Sequence, residues 1–341
     1  MKITTTFTKT SIAAAFIGAA VLVAPTIAQA QAPIRLGHSF TEQHPRGQAM
    51  LKFAAEVEKA TGGAVKINVF PNASLGSEER MLQATQSGVQ QFYMGALAPF
   101  SVRKKELQIF DFPFLFNDEA EVASVMDGPI GQKMLANLSD TGIEGLSWAG
   151  GAFRNVANTK RPIKTFADFK GLKIRVMQSP VAIDSFKAMG MNATPMAYSE
   201  VYTALEIGAL DGLEHPPVDM YQNKIYEIVK NLAITHHVYT PVALVVNKKW
   251  FTGLPAAQQE GIRKAAIVAR DFQRAEEMRQ EKEAVDMLAA KGMAVTHLPP
   301  AELAKMRQAV QPVVDKYSAS IGADFVKSFY AAIAKARKGA N

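Results

Sequence analysis

Two arginines and one acidic, proline-bounded run carry the side chains of this chain best suited to chemistry. Arg175 lies near the end of the extended run Leu172-Lys-Ile-Arg-Val176, and ligands of open α/β sheets usually sit where strands end. A guanidinium there can grip a carboxylate through two parallel hydrogen bonds, a geometry that lysine lacks. Arg154 follows Gly150-Gly151, read as a glycine-rich turn, and would be a second donor. Spacing alone leaves each arginine open to an exposed ion-pair role as well. Asp211-Gly-Leu-Glu-His-Pro-Pro217 reads as a loop after an extended segment, its backbone fixed by glycine and a double proline. From it Glu214 and His215 could project into a cleft, or merely cap a turn. Phe110, Phe112, Phe114 and Phe116 alternate as one face of a strand would and read as core.

The common enzyme motifs are missing. The chain has no G-x-G-x-x-G, no P-loop and no H-E-x-x-H. Ser147 lacks the second glycine of a nucleophile elbow. His236 and His237 are adjacent, so on a strand they face opposite sides and cannot share an ion, and His38 and His44 have no metal spacing to a carboxylate. The absence of cysteine removes thiol catalysis and thiolate-bound metal. Neither a metal nor a cofactor is expected. Glu78 with His237 is the one pair that an exported hydrolase could use.

These residues need a scaffold, and the pattern supplies one. Ile34 to His38 reads as a strand, Gly47 to Thr61 as a helix stopped by Gly62-Gly63, Val65 to Val69 as a second strand, and Ser77 to Gly88 as a second helix. The order returns as strand Leu172–Val176, helix Pro180–Met189, a short extended piece at Ala193–Met196 and a helix from Ser199-Glu200 to Gly208. Strand-helix alternation means an α/β sheet with mostly parallel strands, and the weak self-similarity suggests two lobes that hold a ligand between them. From Pro255 to about Lys291 there is neither proline nor glycine except Gly261, and Ile262, Ala265, Ala266, Ala269, Phe272 and Ala275 form a helical stripe. One helix of about 35 residues would reach roughly 50 Å and run across both lobes; two helices with a kink between them are the other possibility.

Composition sets the compartment. Lys2 and Lys9 precede an apolar run from Ile12 to Val23, and Ala28-Gln-Ala30 has the small-x-small form of a cleavage site. Residues 1–30 therefore read as a secretory signal, cleaved after Ala30, with an apolar part too short to span a membrane. Of 341 residues 311 would remain, enough for two domains. The formal charge of +7 becomes +5 once Lys2 and Lys9 are lost, a modest field that favours small anions. Basic residues are too dispersed for nucleic acid.

The blocks Asp168-Phe-Lys-Gly-Leu-Lys-Ile-Arg175, Pro195-Met-Ala-Tyr-Ser-Glu-Val-Tyr-Thr-Ala-Leu205 and Gly208-Ala-Leu-Asp-Gly-Leu-Glu214 resemble the solute-binding proteins of tripartite ATP-independent periplasmic (TRAP) transporters, of the C4-dicarboxylate-binding type. Leu75-Gly76, Phe112-Pro-Phe114 and Leu36-Gly37 also fit. The resemblance implies two α/β lobes joined by crossing strands, a ligand cleft between them and a long helix spanning both. It divides the chain into lobe I (31–151 with 241–280) and lobe II (152–240 with 281–341). It implies that Arg175 makes the bidentate contact with a ligand carboxylate and that Arg154 assists. His215 stands where the family commonly has Asn or Gln. Glu78, Tyr198, Glu214, His237, Gln178, Ser39, Ala96, Leu97 and Ala98 fall on pocket positions. The function implied is capture of an organic acid anion in the periplasm by a monomer, without chemistry, and delivery to a membrane permease. A hydroxylated monocarboxylate such as a sugar acid is the expected ligand; a dicarboxylate or an aromatic or branched oxo-acid is the alternative.

Overall fold

The computed structural model describes residues 1–6 and 33–339. Residues 1–6 are exposed and irregular; the apolar run and the cleavage site after Ala30 lie outside the described residues. From Pro33 onward the strands are β1 (Ile34–Gly37), β2 (Ile67–Phe70), β3 (Phe92–Ala96), β4 (Ile143–Asn158), β5 (Lys173–Val176), β6 (Asn192–Pro195), β7 (Gly212–His215), β8 (Asn231–Asn247) and β9 (Ala294–His297). The helices are α1 (Pro45–Ala60), α2 (Glu78–Ser87), α3 (Glu119–Asp127), α4 (Pro129–Ala136), α5 (Pro180–Ala188), α6 (Val201–Glu206), α7 (Pro217–Gln222), α8 (Lys248–Thr252), α9 (Ala256–Ala290), α10 (Pro300–Ile321) and α11 (Ala323–Gly339).

The strands form one sheet in the order β2-β1-β3-β8-β4-β7-β5-β6, with β9 beside β8. Two parallel triplets, β2-β1-β3 and β7-β5-β6, are joined by β4 and β8, which run antiparallel to each other. At about 3.3 Å per residue, strands of 16 and 17 residues extend roughly 50 Å, long enough to serve both halves. The Val242–Val246 end of β8 pairs with β3, while its Asn231–Ile234 end pairs with β9 and the Asn155–Asn158 end of β4 pairs with β7.

The same division governs the core. Phe53, Phe92 and Phe251 anchor one cluster of the first half; Phe110, Trp148 and Phe329 anchor the other. Phe169 and Phe186, then Leu205, Leu213 and Leu232, anchor those of the second half. The unbroken alternative holds for α9. Its Ile262, Ala265, Ala266 and Ala269 pack into a first-half cluster and its Leu288 into a second-half one. Between them lie Gln273 and Glu277, buried and polar.

Four expectations change. The expected boundary assigns 281–341 to the second lobe, but Phe329 and Ile333 of α11 pack with Val122, Val125 and Met134 of α3 and α4. The Phe110–Phe116 run is not a strand. Lys105–Asp111 is a 3-10 helix, Pro113 has no N–H for a sheet ladder, and Phe114 adopts φ 60° while its N–H bonds the His237 carbonyl. The segment Gly212–His215 is not loop but strand β7, and Pro217 then opens α7.

Gly150 and Gly151 are not a turn either. They lie inside β4 where it meets β8, paired with Val242 and Pro241. Gly151 has φ 152°, and a Cβ there would stand 2.3 Å from the Thr240 carbonyl oxygen and 2.9 Å from Pro241 Cα. Backbone cannot yield as a flexible side chain does. Gly151→Ala is therefore expected to cost on the order of 3 kcal/mol, read as a fall of several degrees in melting temperature. An unchanged melting temperature would contradict this packing of the crossing strands.

Candidate functional site

Arg175 sits on β5 between β6 and β7, in register with Thr194 and Leu213. Arg154 comes from the crossing strand β4 at a register shift opposite Val238, and His215 ends β7. Together with Glu78, Tyr198 and Ala96 they line one cavity of about 30 Å³. Ala98 and Gln178 line an adjoining cavity of about 10 Å³ that shares Glu78, Arg175 and Tyr198. Ser39 borders a wider recess of about 290 Å³ that reaches Tyr198. Glu214 lies behind the cavity as the partner of Arg154, and His237 stands against Glu214. Leu97 packs in a first-half hydrophobic cluster. Of the pair an exported hydrolase could use, Glu78 lines the cavity, while the ring nitrogens of His237 face Thr235 and Glu214.

Arg154 is paired with Glu214. Its Nε and Nη2 donate to the two carboxylate oxygens, and Nη2 also donates to the Glu214 carbonyl at 2.6 Å. His237 Nε2 stands 3.4 Å from the same carboxylate, while its Nδ1 meets Thr235 Oγ1 at 2.8 Å. Burial alone would raise the pKa of Glu214, but Arg154 and His237 outweigh it and hold the carboxyl down to about 2. The His237 ring stays below its usual value because burial exceeds the pull of Glu214.

A second network went unread in the sequence. Arg46, in the first turn of α1, donates through Nε to Glu277 of α9 at 2.5 Å and approaches Asp219 of α7 at 3.3 Å. Its guanidinium lies 4.6 Å from the centre of the Phe40 ring. His44, which caps α1, meets Asp219 through Nε2 at 2.6 Å. Burial opposes ionisation of Asp219, yet Arg46, His44 and His215 hold it well below the carboxylate range. Arg46, Asp219, Phe40, Met177 and Thr240 all line the cavity. Asp219 stands four residues after His215 at the start of a proline-opened helix, a signal that could have been followed; Arg46 looks like an ordinary charge beside a helix cap.

Arg175 differs from both. Its Nε and Nη2 donate to the Met196 carbonyl at 2.9 and 2.7 Å, and Nη1 has no partner. Among the described residues it forms no ion pair, although it is 3% exposed. Burial and then the charge of Arg154 lower its pKa to about 10. Tyr198 spans the gap to His215. Its ring centre lies 5.7 Å from the Arg175 guanidinium, and the ring stacks on His215 at 4.3 Å. The Tyr198 hydroxyl, the Thr240 hydroxyl and both ring nitrogens of His215 are also buried and unpartnered. Buried polar atoms are rarely left so, and here several line one cavity beside an unneutralised cation. Such a set can hold an oxygen-rich anion. Glu78 adds a carboxyl whose pKa burial raises against the pull of Arg175, Arg154 and Arg46.

Fold and site together define a two-lobed solute-binding protein. The chain belongs to bacterial extracellular solute-binding protein family 7, DctP, whose family model matches residues 36–320. A solute-binding protein of Verminephrobacter eiseniae is 40% identical over 268 residues, 79% of this chain and 80% of the relative. The C4-dicarboxylate-binding periplasmic protein DctP of Rhodobacter capsulatus is 32% identical over 304 residues, 89% of this chain and 91% of that one. The crystal structure of the sugar acid binding protein DctPAm of Advenella mimigardefordensis, in complex with galactonate, superposes with a TM-score of 0.86 at 36% identity, covering 89% of this chain and 98% of that chain.

Behind the Arg154 pair, buried Asp111 accepts a 2.6 Å hydrogen bond from Ser179, the cap of α5. Burial pushes its pKa up to about 7 despite Ser179 and Arg154. The folded state therefore keeps a proton that the unfolded chain loses near pH 3.8, so stability falls as pH rises from about 4 to about 7. Asp111→Asn removes this slope. Relative to wild type it should gain a few kcal/mol in thermal unfolding at pH 8 compared with pH 4; parallel stability curves would contradict a buried, protonated Asp111.

Proposed function

We propose that this chain is the periplasmic binding component of a TRAP transporter, exported by a signal cleaved after Ala30, and that it captures a hydroxylated monocarboxylate of the sugar-acid class. The observation that carries the reading is the buried Arg175 guanidinium, which has an open N–H and no counter-ion beside hydroxyl and imidazole groups in need of partners. In this reading the solute carboxylate neutralises Arg175, and the Tyr198, Thr240 and His215 groups take its hydroxyls. The galactonate complex of the Advenella relative supports the same class. A dicarboxylate, as the name of the Rhodobacter relative suggests, would need a second free cation. Arg154 and Arg46 are already matched by Glu214, Asp219 and Glu277, which favours one carboxylate.

Capture proceeds without turnover. The lobes part about β4, β8 and α9 to admit the solute and close over it. Closure expels water and strengthens the ion pair in the lower dielectric. The closed monomer then presents a joint surface of both lobes to the membrane permease. Among the described residues no helix is long and apolar enough to cross a membrane, which accords with a separate permease.

A thermal-shift screen against organic acids, followed by calorimetry, tests the reading, since a ligand of the folded state alone raises its melting temperature. Arg175→Met is the decisive variant. It removes an unpaired buried charge, so the ligand-free melting temperature should hold or rise. Affinity for D-galactonate or a related acid should fall more than a hundredfold, for a loss on the order of 3 to 5 kcal/mol. Wild-type affinity in this variant would refute the assignment.

A further inference from the structure

His215 and Asp219 together define a feature of recognition that the cavity's cations do not. His215 Nε2 lies 3.4 Å from Asp219 Oδ2. The other Asp219 oxygen takes His44 Nε2, and Arg46 flanks the carboxylate. An ionised carboxylate only accepts hydrogen bonds. The contact is not a hydrogen bond, and Nε2, like Nδ1, is unpartnered; what sets the preference is Coulombic, since a nitrogen 3.4 Å from a carboxylate is stabilised by carrying N–H and destabilised by presenting a lone pair. The ring also stays neutral. It is buried, and Arg154 and Arg175 oppose a further positive charge more than Asp219 invites one, so its pKa lies well below the usual imidazole value. A neutral imidazole has one N–H and one lone pair.

We propose that Asp219 is a positioning residue that holds His215 as the Nε2–H tautomer, leaving Nδ1 as a hydrogen-bond acceptor for a solute hydroxyl close to the carboxylate. Nδ1 has no partner in the protein, and His215 lines the cavity. Around it Arg175 Nη1 can only donate and takes the solute carboxylate, while the Tyr198 and Thr240 hydroxyls can donate or accept. A bare ring nitrogen requires a donor from the solute, which a hydroxyl provides and a keto oxygen or a second carboxylate does not. The Tyr198 ring lies against both His215 and Arg175, so the acceptor and the guanidinium flank one side chain, and the hydroxyl next to the carboxylate is the donor assigned to it. This rests on the sugar-acid reading and narrows it to 2-hydroxy acids over 2-oxo acids. An Asn or Gln at position 215 would offer both an N–H and a carbonyl and would discriminate less.

The test has a ligand-free arm and a ligand arm. Long-range proton–nitrogen NMR of the labelled protein, with His215 assigned by the loss of its signals in His215→Gln, reads the tautomer directly. A protonated Nε2 and bare Nδ1 are expected in wild type, and a mixed or inverted ring in Asp219→Asn. Calorimetry then compares D-galactonate and D-gluconate with their 2-oxo and 2-deoxy counterparts. Wild type should favour the 2-hydroxy acid at least tenfold; Asp219→Asn and His215→Gln should lose most of that preference. A protonated Nδ1 in wild type overturns the proposal. So does equal affinity for hydroxy and oxo acids, which leaves the sugar-acid reading intact. Failure of wild type to bind any of these acids overturns that reading instead, and the hydroxyl contact with it. Should Asp219→Asn not fold, the wild-type tautomer and the His215→Gln preference still decide.

Discussion

A guanidinium buried without a counter-ion is the constraint from which the site follows. Taking a charge out of water costs several kcal/mol, and only an opposite charge with good hydrogen bonds repays it. Arg175 is buried at the junction of β5, β6 and β7, shares two N–H groups with one carbonyl oxygen and keeps a third unpartnered. Its lowered pKa registers the same cost. Folding energy elsewhere must offset it, and the half-sheet cores that flank the cleft supply apolar burial for that purpose.

The other two arginines make this isolation informative. Arg154 with Glu214, and Arg46 with Asp219 and Glu277, are closed pairs whose charges are matched inside the protein. They fix geometry. Arg154 holds β4 to β7, and Arg46 and His44 at the head of α1 hold Asp219 of α7 and, through Glu277, the polar middle of α9. Glu277 also accepts from the Gly151 N–H where β4 crosses β8. The elements that join the two halves, crossing strands and long helix, are thus tied by charge at the level of the cavity. Any movement that opens the cleft must work around these contacts.

Periodicity made much of this fold legible. Alternation located β1, β2 and β5, a proline start and an alanine stripe located α9, and strand-helix order gave the class. Arg175 could be singled out because a guanidinium at a strand end can grip a carboxylate, and Arg154 because it follows Gly150-Gly151, although spacing left both open to an ordinary ion pair. What could not be read was long-range pairing. Asp219 and Arg46 are 173 residues apart, and nothing local to Pro45-Arg46 distinguishes a buried ion pair from an exposed helix start. Gly150-Gly151 misled for a related reason: glycine signals a turn locally, but here the second strand's backbone, distant in sequence, demands the missing Cβ. Phe110 to Phe116 alternated correctly for a strand, yet Pro113 and the bond from Phe114 to the His237 carbonyl pulled the segment into turns that serve both halves.

One structure tests the central claim most directly: crystals of the protein grown with D-galactonate. The account predicts a carboxylate oxygen about 3 Å from Arg175 Nη1, with Arg154 still paired to Glu214. A solute lying elsewhere in the cleft, or Arg175 neutralised by Glu78 with the acid out of its reach, would contradict it.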